Sequence, residues 1–485
     1  MLCGGCREPA GRVVAGVTQA DTGPGRRRGK AAAFVFLCGW AGVAPHWLEP
    51  PRNLLPAISL SLLIATYVVR TVFLKLLSGP TANQDPSAPW PGLDFEKPGG
   101  GCPCPSVDVV VAARDEEAVI GRLVERVGQL SYPADQLRLW VVDDGSEDRT
   151  PELLADLEGR TPHLTVIRRG REAGGGKSGA LNAVLERLQG RWMLVLDADA
   201  GLQADLLEHL VAYAESGGWS AVQLRKAVVN TDRNLLTRAQ AMEMALDAGI
   251  QEGRLRAGGI GELRGNGQLL RRDVLEACGG FNEATVTDDL DLSFRLLLAG
   301  HAVGVLWDPP VEEEAVLTLP SLWKQRQRWA EGGLQRFFDY GPGLLSSRLS
   351  RRQRLDLGVF FFLQYALPLI SAIDLFAALL SGTQPAIWPL SLVAMGLTAG
   401  ALVIGCRRPS QGPPLPKPNP FTVLLAMVYF AHWLVVIPLV AVRMVVLPKR
   451  LVWAKTLHLG GHPEDHQDHD DDGLPADSDL STQAT

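Results

Sequence analysis

Residues 192–199 read Trp-Met-Leu-Val-Leu-Asp-Ala-Asp. Five consecutive apolar side chains leave no face for water, so this run is a strand buried on both sides. Two carboxylates one residue apart close it. Upstream the same pattern repeats. Strands at Val107–Ala113, Leu137–Asp144 and Leu164–Arg169 alternate with helices at 116–130, 149–159 and 177–189. Buried strands alternating with amphipathic helices predict an α/β domain whose mostly parallel sheet is covered on both faces. Ligands of such sheets bind beyond the carboxyl ends of the strands, and the acids collect there.

Asp197 and Asp199 can share one divalent cation, because Mg²⁺ takes one or two carboxylates together with water and substrate phosphates. The alternative is a pair of turn aspartates. Leu137–Asp144 runs into Gly145-Ser146. Asp143 and Asp144 can accept hydrogen bonds from a nucleobase or ribose, or simply form the turn into the next helix. The first strand ends in a second polar lip, Ala112-Ala113-Arg114-Asp115-Glu116.

Residues 174–179, Gly-Gly-Gly-Lys-Ser-Gly, match a dinucleotide fingerprint and nearly make a P-loop. Context rejects both. The run follows the third strand rather than the first, its acid belongs to the Asp-Ala-Asp pair, and Gly170 stands one residue too far from Gly176-Lys177-Ser178. What survives is a glycine loop opening a helix, with Lys177 in it, which suits a diphosphate. Further on, Thr287-Asp288-Asp289-Leu290-Asp291 opens a helix. The acids suit the helix dipole there, and one can serve as a general base. Gln325-Arg326-Gln327-Arg328-Trp329 lies on an amphipathic segment leading to apolar chain. Its arginine can clamp a departing diphosphate and Trp329 can stack on a sugar, or the segment can sit at headgroup depth.

In this order and spacing the motifs make region 107–338 resemble the family 2 glycosyltransferases, which include cellulose, chitin and hyaluronan synthases. The resemblance implies a GT-A fold, Rossmann-like, flanked here by transmembrane helices. It implies uridine binding at Asp143-Asp144-Gly145, and a nucleotide-sugar site completed by Ala113, Glu116, Lys177, Asp197 and Arg328. Asp197 and Asp199 become ligands of Mg²⁺ or Mn²⁺, and Asp289 the catalytic base. Gln325, Arg328, Trp329 and Asp288 fall at the acceptor. Two positions depart from the family pattern: Asp288 where glutamate is usual and Asp115 where asparagine is common.

The 485 residues are 46% hydrophobic, with mean hydropathy +0.07, and the apolar excess sits at the two ends. A net charge of −6 gives no footprint for nucleic acid. Residues 1–30 read as a disordered basic tail ending in Arg26-Arg27-Arg28-Gly29-Lys30, followed by apolar stretches at 31–45 and 54–77 (region 31–78) and a Pro/Gly-rich linker at 79–105. The first stretch is short for a span, so it reads as tilted, interfacial or half of a hairpin. Basic residues flank both outer ends, which places tail and catalytic domain (106–340) in the cytosol. A basic connector at 341–356 leads to apolar runs at 357–380, 386–405 and 421–447 (region 357–448). Three spans there would strand Lys449, Arg450 and Lys455 on the far side, so either 421–447 is a hairpin or an earlier run does not cross. Residues 449–485 form an acidic tail whose histidines read as solvated disorder. The 7 cysteines lack a zinc pattern and read as free thiols in a reducing compartment.

A narrower resemblance covers most of the chain. Runs 174–182 (GGGKSGALN), 261–268 (GELRGNGQ), 287–292 (TDDLDL) and 327–333 (QRWAEGG) are similar to the cyanobacterial β-monoglucosyldiacylglycerol synthases. This implies an integral protein of a bacterial inner or thylakoid-type membrane that moves glucose from UDP-glucose to diacylglycerol with inversion. The rival within the superfamily is a processive polysaccharide synthase. Rivals outside it are a nicotinamide enzyme using 174–179 and a non-enzymatic scaffold.

Overall fold

The computed structural model describes residues 24–49, 51–74 and 104–447. Residues 1–23 of the N-terminal tail, residues 79–103 of the linker with Cys102, and the acidic tail lie outside the described residues, as do Lys449, Arg450 and Lys455. The sheet has seven strands in the order β3-β2-β1-β4-β6-β5-β7. They are β1 (Val107–Ala113), β2 (Leu137–Asp144), β3 (Leu164–Arg169), β4 (Trp192–Leu196), β5 (Ala221–Val228), β6 (Gln268–Arg271) and β7 (Val303–Glu313). Only β6 runs antiparallel to its neighbours, so the expected mostly parallel α/β sheet is present. The chain builds β1, β2 and β3 to one side, then returns to lay β4 against the free edge of β1. That reversal opens a crevice at the carboxyl ends of β1 and β4.

Register levels those ends. Ala113 lies opposite Asp143, and Val111 lies opposite Leu196, which brings Asp197 to the rim. The strand predicted over 192–199 stops at Leu196 because β6 leaves it there. Gly267 donates to the Val195 carbonyl at 3.1 Å, and a turn then links Ala200 to the Asp197 carbonyl. Gly267 has φ +74°, and a Cβ there would come within 2.7 Å of Val311. A glycine is therefore needed where the chain turns away from Asp197.

Helices cover both faces. In chain order they are α1 (Pro24–Val43), α2 (Leu55–Val68), α3 (Ile120–Gly128), α4 (Thr150–Arg160), α5 (Gly176–Leu185), α6 (Leu206–Gly217), α7 (Leu235–Arg256) and α8 (Arg272–Ala277). Then follow α9 (Asp288–Leu298), α10 (Leu319–Leu344), α11 (Arg351–Phe361), α12 (Leu367–Ser381), α13 (Trp388–Arg407), α14 (Pro420–Phe430) and α15 (Trp433–Val446). Alternate residues of β1 feed two cores. Val107, Val109 and Val111 pack with α3 and α6, while Val110 and Ala112 pack with α5 and α9.

Among the described residues, four segments are long and apolar enough to cross a membrane: Arg52–Phe73, Arg351–Ser381, Trp388–Arg407 and Pro420–Val446. Two expectations change here. The basic run Arg26–Lys30 is not tail but the opening turns of α1, which starts at Pro24. Arg27 pairs with Asp339 of α10 at 2.7 Å, Lys30 donates to the Phe338 carbonyl, and Arg28 reaches the carbonyls of Val445 and Val446. The connector is also shorter than 341–356, because α10 runs to Leu344 and α11 begins at Arg351.

Residues 421–447 do not form a hairpin. Ala431 and His432 keep right-handed helical angles, so α14 continues into α15. This long segment follows chain tied to the catalytic domain and ends against α1. The chain before it is tied down by Arg225 on the Gln411 carbonyl and the Trp307 indole on the Pro409 carbonyl, at 2.9 and 3.0 Å. Its last carbonyls take Arg28.

Candidate active site

One cavity of about 1110 Å³ collects the predicted residues. Its polar end is lined by Arg114 and Glu116 from the lip after β1, by Lys177 at the start of α5, and by Asp197 and Asp199 beyond β4. Lys177 forms an ion pair with Asp197. Burial alone would lower the lysine's pKa, but the charges of Asp197 and Asp288 outweigh it and raise it, so it stays an ammonium. Asp199 accepts from the Glu314 backbone N–H at 3.3 Å.

Three of the expected nucleotide residues stand back from this wall. Ala113 is fully buried within β1. Asp143 accepts from the Ser146 N–H at 3.0 Å, closing the turn around Gly145. Asp144 holds Arg169 at 2.6 Å and Arg114 at 4.0 Å, and of these partners Arg114 lines the cavity. Both aspartates are thus tied into the rim of the cavity, Asp144 beside Arg114.

Opposite the metal-type pair, Thr287 stands at the N-terminal boundary of α9, with Asp288 and Asp289 in the helix's first turn. The Asp289 carboxylate accepts the Leu290 N–H at 2.8 Å, and the Ser293 hydroxyl grips the Asp289 carbonyl at 2.8 Å. Burial, reinforced by the neighbouring Asp288 charge, pushes the Asp289 carboxyl up to about 6. Several buried polar atoms around this point have no protein partner: Asp288 Oδ2, Gln325 Oε1, Thr287 Oγ1 and Asn266 Nδ2. Buried polar atoms are normally satisfied, so such a group marks where a polar ligand completes the site.

Gln325, Arg328 and Trp329 on α10 line the same cavity. The helix approaches closely because it carries Gly332 and Gly333. A Cβ at Gly332 would strike the Thr287 side chain, and one at Gly333 would strike the Tyr365 ring. The glycines of the QRWAEGG run thus let α10 lean on the start of the Asp289 helix and on the π-turn Phe362–Ala366 between α11 and α12.

Sequence reading missed four residues. Arg326, two positions from Arg328 and so on another helix face, is buried beneath Trp329, with its guanidinium 3.9 Å from the ring centroid and ion-paired to Glu243. Lys226 on β5 lines the cavity and pairs with Glu313 at 3.0 Å. Arg264 also lines it. Glu262 is fully buried among Arg336, Arg254 and Arg264, at 2.6, 3.2 and 3.1 Å. Burial would raise the Glu262 carboxyl, but the three guanidiniums hold it well below the usual carboxylate range. The signal available was the run GELRGNGQ itself, which places an acid and an arginine beside two glycines. Glu262→Ala would leave buried cations facing each other. It is expected to destabilise the fold by about 3–5 kcal/mol, read as a lower unfolding midpoint in detergent.

A sheet reversal with carboxylates at the strand ends, a glycine-lysine loop and a half-buried acid across from them is an arrangement that suits a phosphate-bearing donor. The family model described as "Glycosyltransferase like family 2" matches residues 105–332, and the chain belongs to that family. It is 47% identical over 368 residues to the β-monoglucosyldiacylglycerol synthase of Synechocystis sp., covering 75% of this chain and 77% of that one. To the protein of that name from Nostoc sp. it is 44% identical over 360 residues, covering 73% and 77%. Among solved structures it is similar to the mannosyltransferase PcManGT of Pyrobaculum calidifontis, determined with GDP-Man and Mn²⁺. The TM-score is 0.53 at 20% identity, covering 86% of this chain and 99% of that one, which supports the GT-A fold.

Proposed function

We propose that this glycosyltransferase moves glucose from UDP-glucose to the free hydroxyl of 1,2-diacylglycerol with inversion, making β-monoglucosyldiacylglycerol at a membrane. One observation carries the reading. The cavity that holds Lys177, Asp197 and Asp289 continues past Trp329 into apolar walls from α12, α13, α14 and α15. A charged donor and a hydrocarbon-bearing acceptor need such a two-part site. Glucose and diacylglycerol come from the relatives' name.

In this reading Lys177 and Arg328 hold the diphosphate, with Arg114 at the lip. Asp289, which faces the cavity near Gln325 and Trp329, takes the proton of the glycerol hydroxyl. The hydroxyl oxygen bonds to the anomeric carbon as the bond from that carbon to the diphosphate oxygen breaks, and its electron pair leaves with UDP. One displacement inverts the centre. Asp197 and Asp199 fit a divalent cation: two carboxylates at the crevice are the donor set Mg²⁺ or Mn²⁺ takes alongside water and phosphates. Bound there, the cation would neutralise charge developing on the leaving UDP.

Since the base must be ionised, kcat/KM is expected to fall about tenfold per pH unit below about 6, the value to which Asp289 is pushed, and to level off above it. A pH profile checks this. Incubated with Mg²⁺, diacylglycerol and radiolabelled UDP-glucose or UDP-galactose, the protein should label a small glycolipid, and better from UDP-glucose. Label in an insoluble polymer would overturn the reading in favour of a polysaccharide synthase.

The protein in this account is integral to the membrane with its catalytic domain cytosolic. In this reading segment Pro420–Val446 lies against the catalytic domain, α14 on α7 and α15 along α10, instead of crossing, so that the basic chain after it stays cytosolic as the positive-inside rule requires. Supporting it, the Tyr429 hydroxyl donates to Glu243 of α7 at 2.6 Å, and Arg443 lies 3.9 Å from Glu331 of α10. Cysteines at Ser410 and Leu447 should react with an impermeant maleimide from the same side of sealed vesicles.

A further inference from the structure

We infer that an acyl chain of the acceptor lies in the slot between α12 and α13, and that Ala394 limits its bore; this rests on the diacylglycerol reading above. Helix α13 is pinned at its two ends. At its start Leu390 is buried, and the Ser391 hydroxyl meets Ser371 of α12 at 2.9 Å. At its end Ala401, Leu402 and Cys406 pack on Met242 and Ala245 of α7. The turn between these anchors, Ala394 to Thr398, faces the cavity, with Leu367 and Ser371 across from it on α12. The slot is continuous with the space beside Asp289 and Trp329.

The slot's hydroxyls are already spent. Thr398 donates to the Ala394 carbonyl at 2.9 Å, and Ser391 is satisfied by Ser371 and the Ile387 carbonyl. Satisfied hydroxyls and methyl or methylene walls recognise hydrocarbon rather than sugar or headgroup. The slot also opens sideways. Met395 and Leu434 both line it and remain 49% and 46% exposed, on helices apolar enough to face lipid. A lipid can thus enter from the bilayer with its hydroxyl leading toward Asp289.

Two measurements on the full chain in detergent or nanodiscs test this. Ala394→Trp should raise the KM for dioleoylglycerol tenfold or more and leave the KM for UDP-glucose unchanged. Leu392→Trp, on the outer face of the same helix and 59% exposed, should change neither. Dioleoylglycerol carrying a mid-chain diazirine should crosslink wild-type peptides from Leu367–Ser381 and Trp388–Arg407. An unchanged KM in Ala394→Trp, an equal rise in Leu392→Trp, or crosslinks confined to α1 and α2 would overturn the inference while transfer to diacylglycerol still stood. No transfer of glucose to diacylglycerol by the wild type would instead remove the acceptor reading on which it rests.

Discussion

Asp289→Asn is expected to lower kcat about 10²–10⁴-fold while UDP-glucose still binds, because the amide keeps the shape of the carboxylate but cannot take a proton. The geometry makes the change local. The amide oxygen can still accept the Leu290 N–H, and the Ser293 bond goes to the backbone of residue 289, so α9 retains its first turn. The substitution also removes a half-buried charge beside Asp288. Stability should therefore hold or rise, which separates a catalytic loss from a folding defect. Steady-state kinetics, donor titration and thermal unfolding on one preparation check all three.

Removal of the divalent cation has the second largest expected effect. Chelation should abolish transfer, and Mg²⁺ or Mn²⁺ should restore it. Asp199→Ala should cost several kcal/mol of transition-state stabilisation, or about 10²–10³-fold in rate. The consequence for Lys177 is specific to this site. Its ammonium pairs with Asp197, so losing Asp199 leaves one carboxylate shared between lysine and metal. Asp197→Ala should then be the worse of the two, because it strips the metal of a ligand and frees a half-buried ammonium that also feels Asp288. Mn²⁺ titration followed by paramagnetic resonance reads binding independently of turnover.

Much of the domain was legible because its signals are local. The run 192–196 carries no polar residue, so it had to be a central strand, and strand period and glycine turns placed β1, β2 and β3 to the residue. Asp197, Asp199, Lys177, Asp289, Gln325, Arg328 and Trp329 do share a cavity, as their motif order implied. What stayed hidden depends on distant pairing. The length of β4 is set by β6, some seventy residues away, which no window around Asp197 contains. Asp143 and Asp144 read in sequence as ligand contacts, and the partners that tie them to the rim, Ser146, Arg169 and Arg114, lie beyond what the motif shows. Arg326 and Glu262 are buried charges whose counter-ions lie on other helices, and burial of a charge cannot be read without the partner. The basic run 26–30 has the composition of a tail, but Asp339, the Phe338 carbonyl of α10 and the last carbonyls of α15 hold it as helix.

The product itself tests the central claim most directly. Purified protein in nanodiscs containing diacylglycerol, given Mg²⁺ and UDP-α-glucose, should yield a lipid bearing one glucose whose anomeric proton coupling by NMR is that of a β-glycoside. An α-glycoside would contradict a single displacement assisted by Asp289, and a glucan or an unmodified lipid pool would contradict the lipid acceptor.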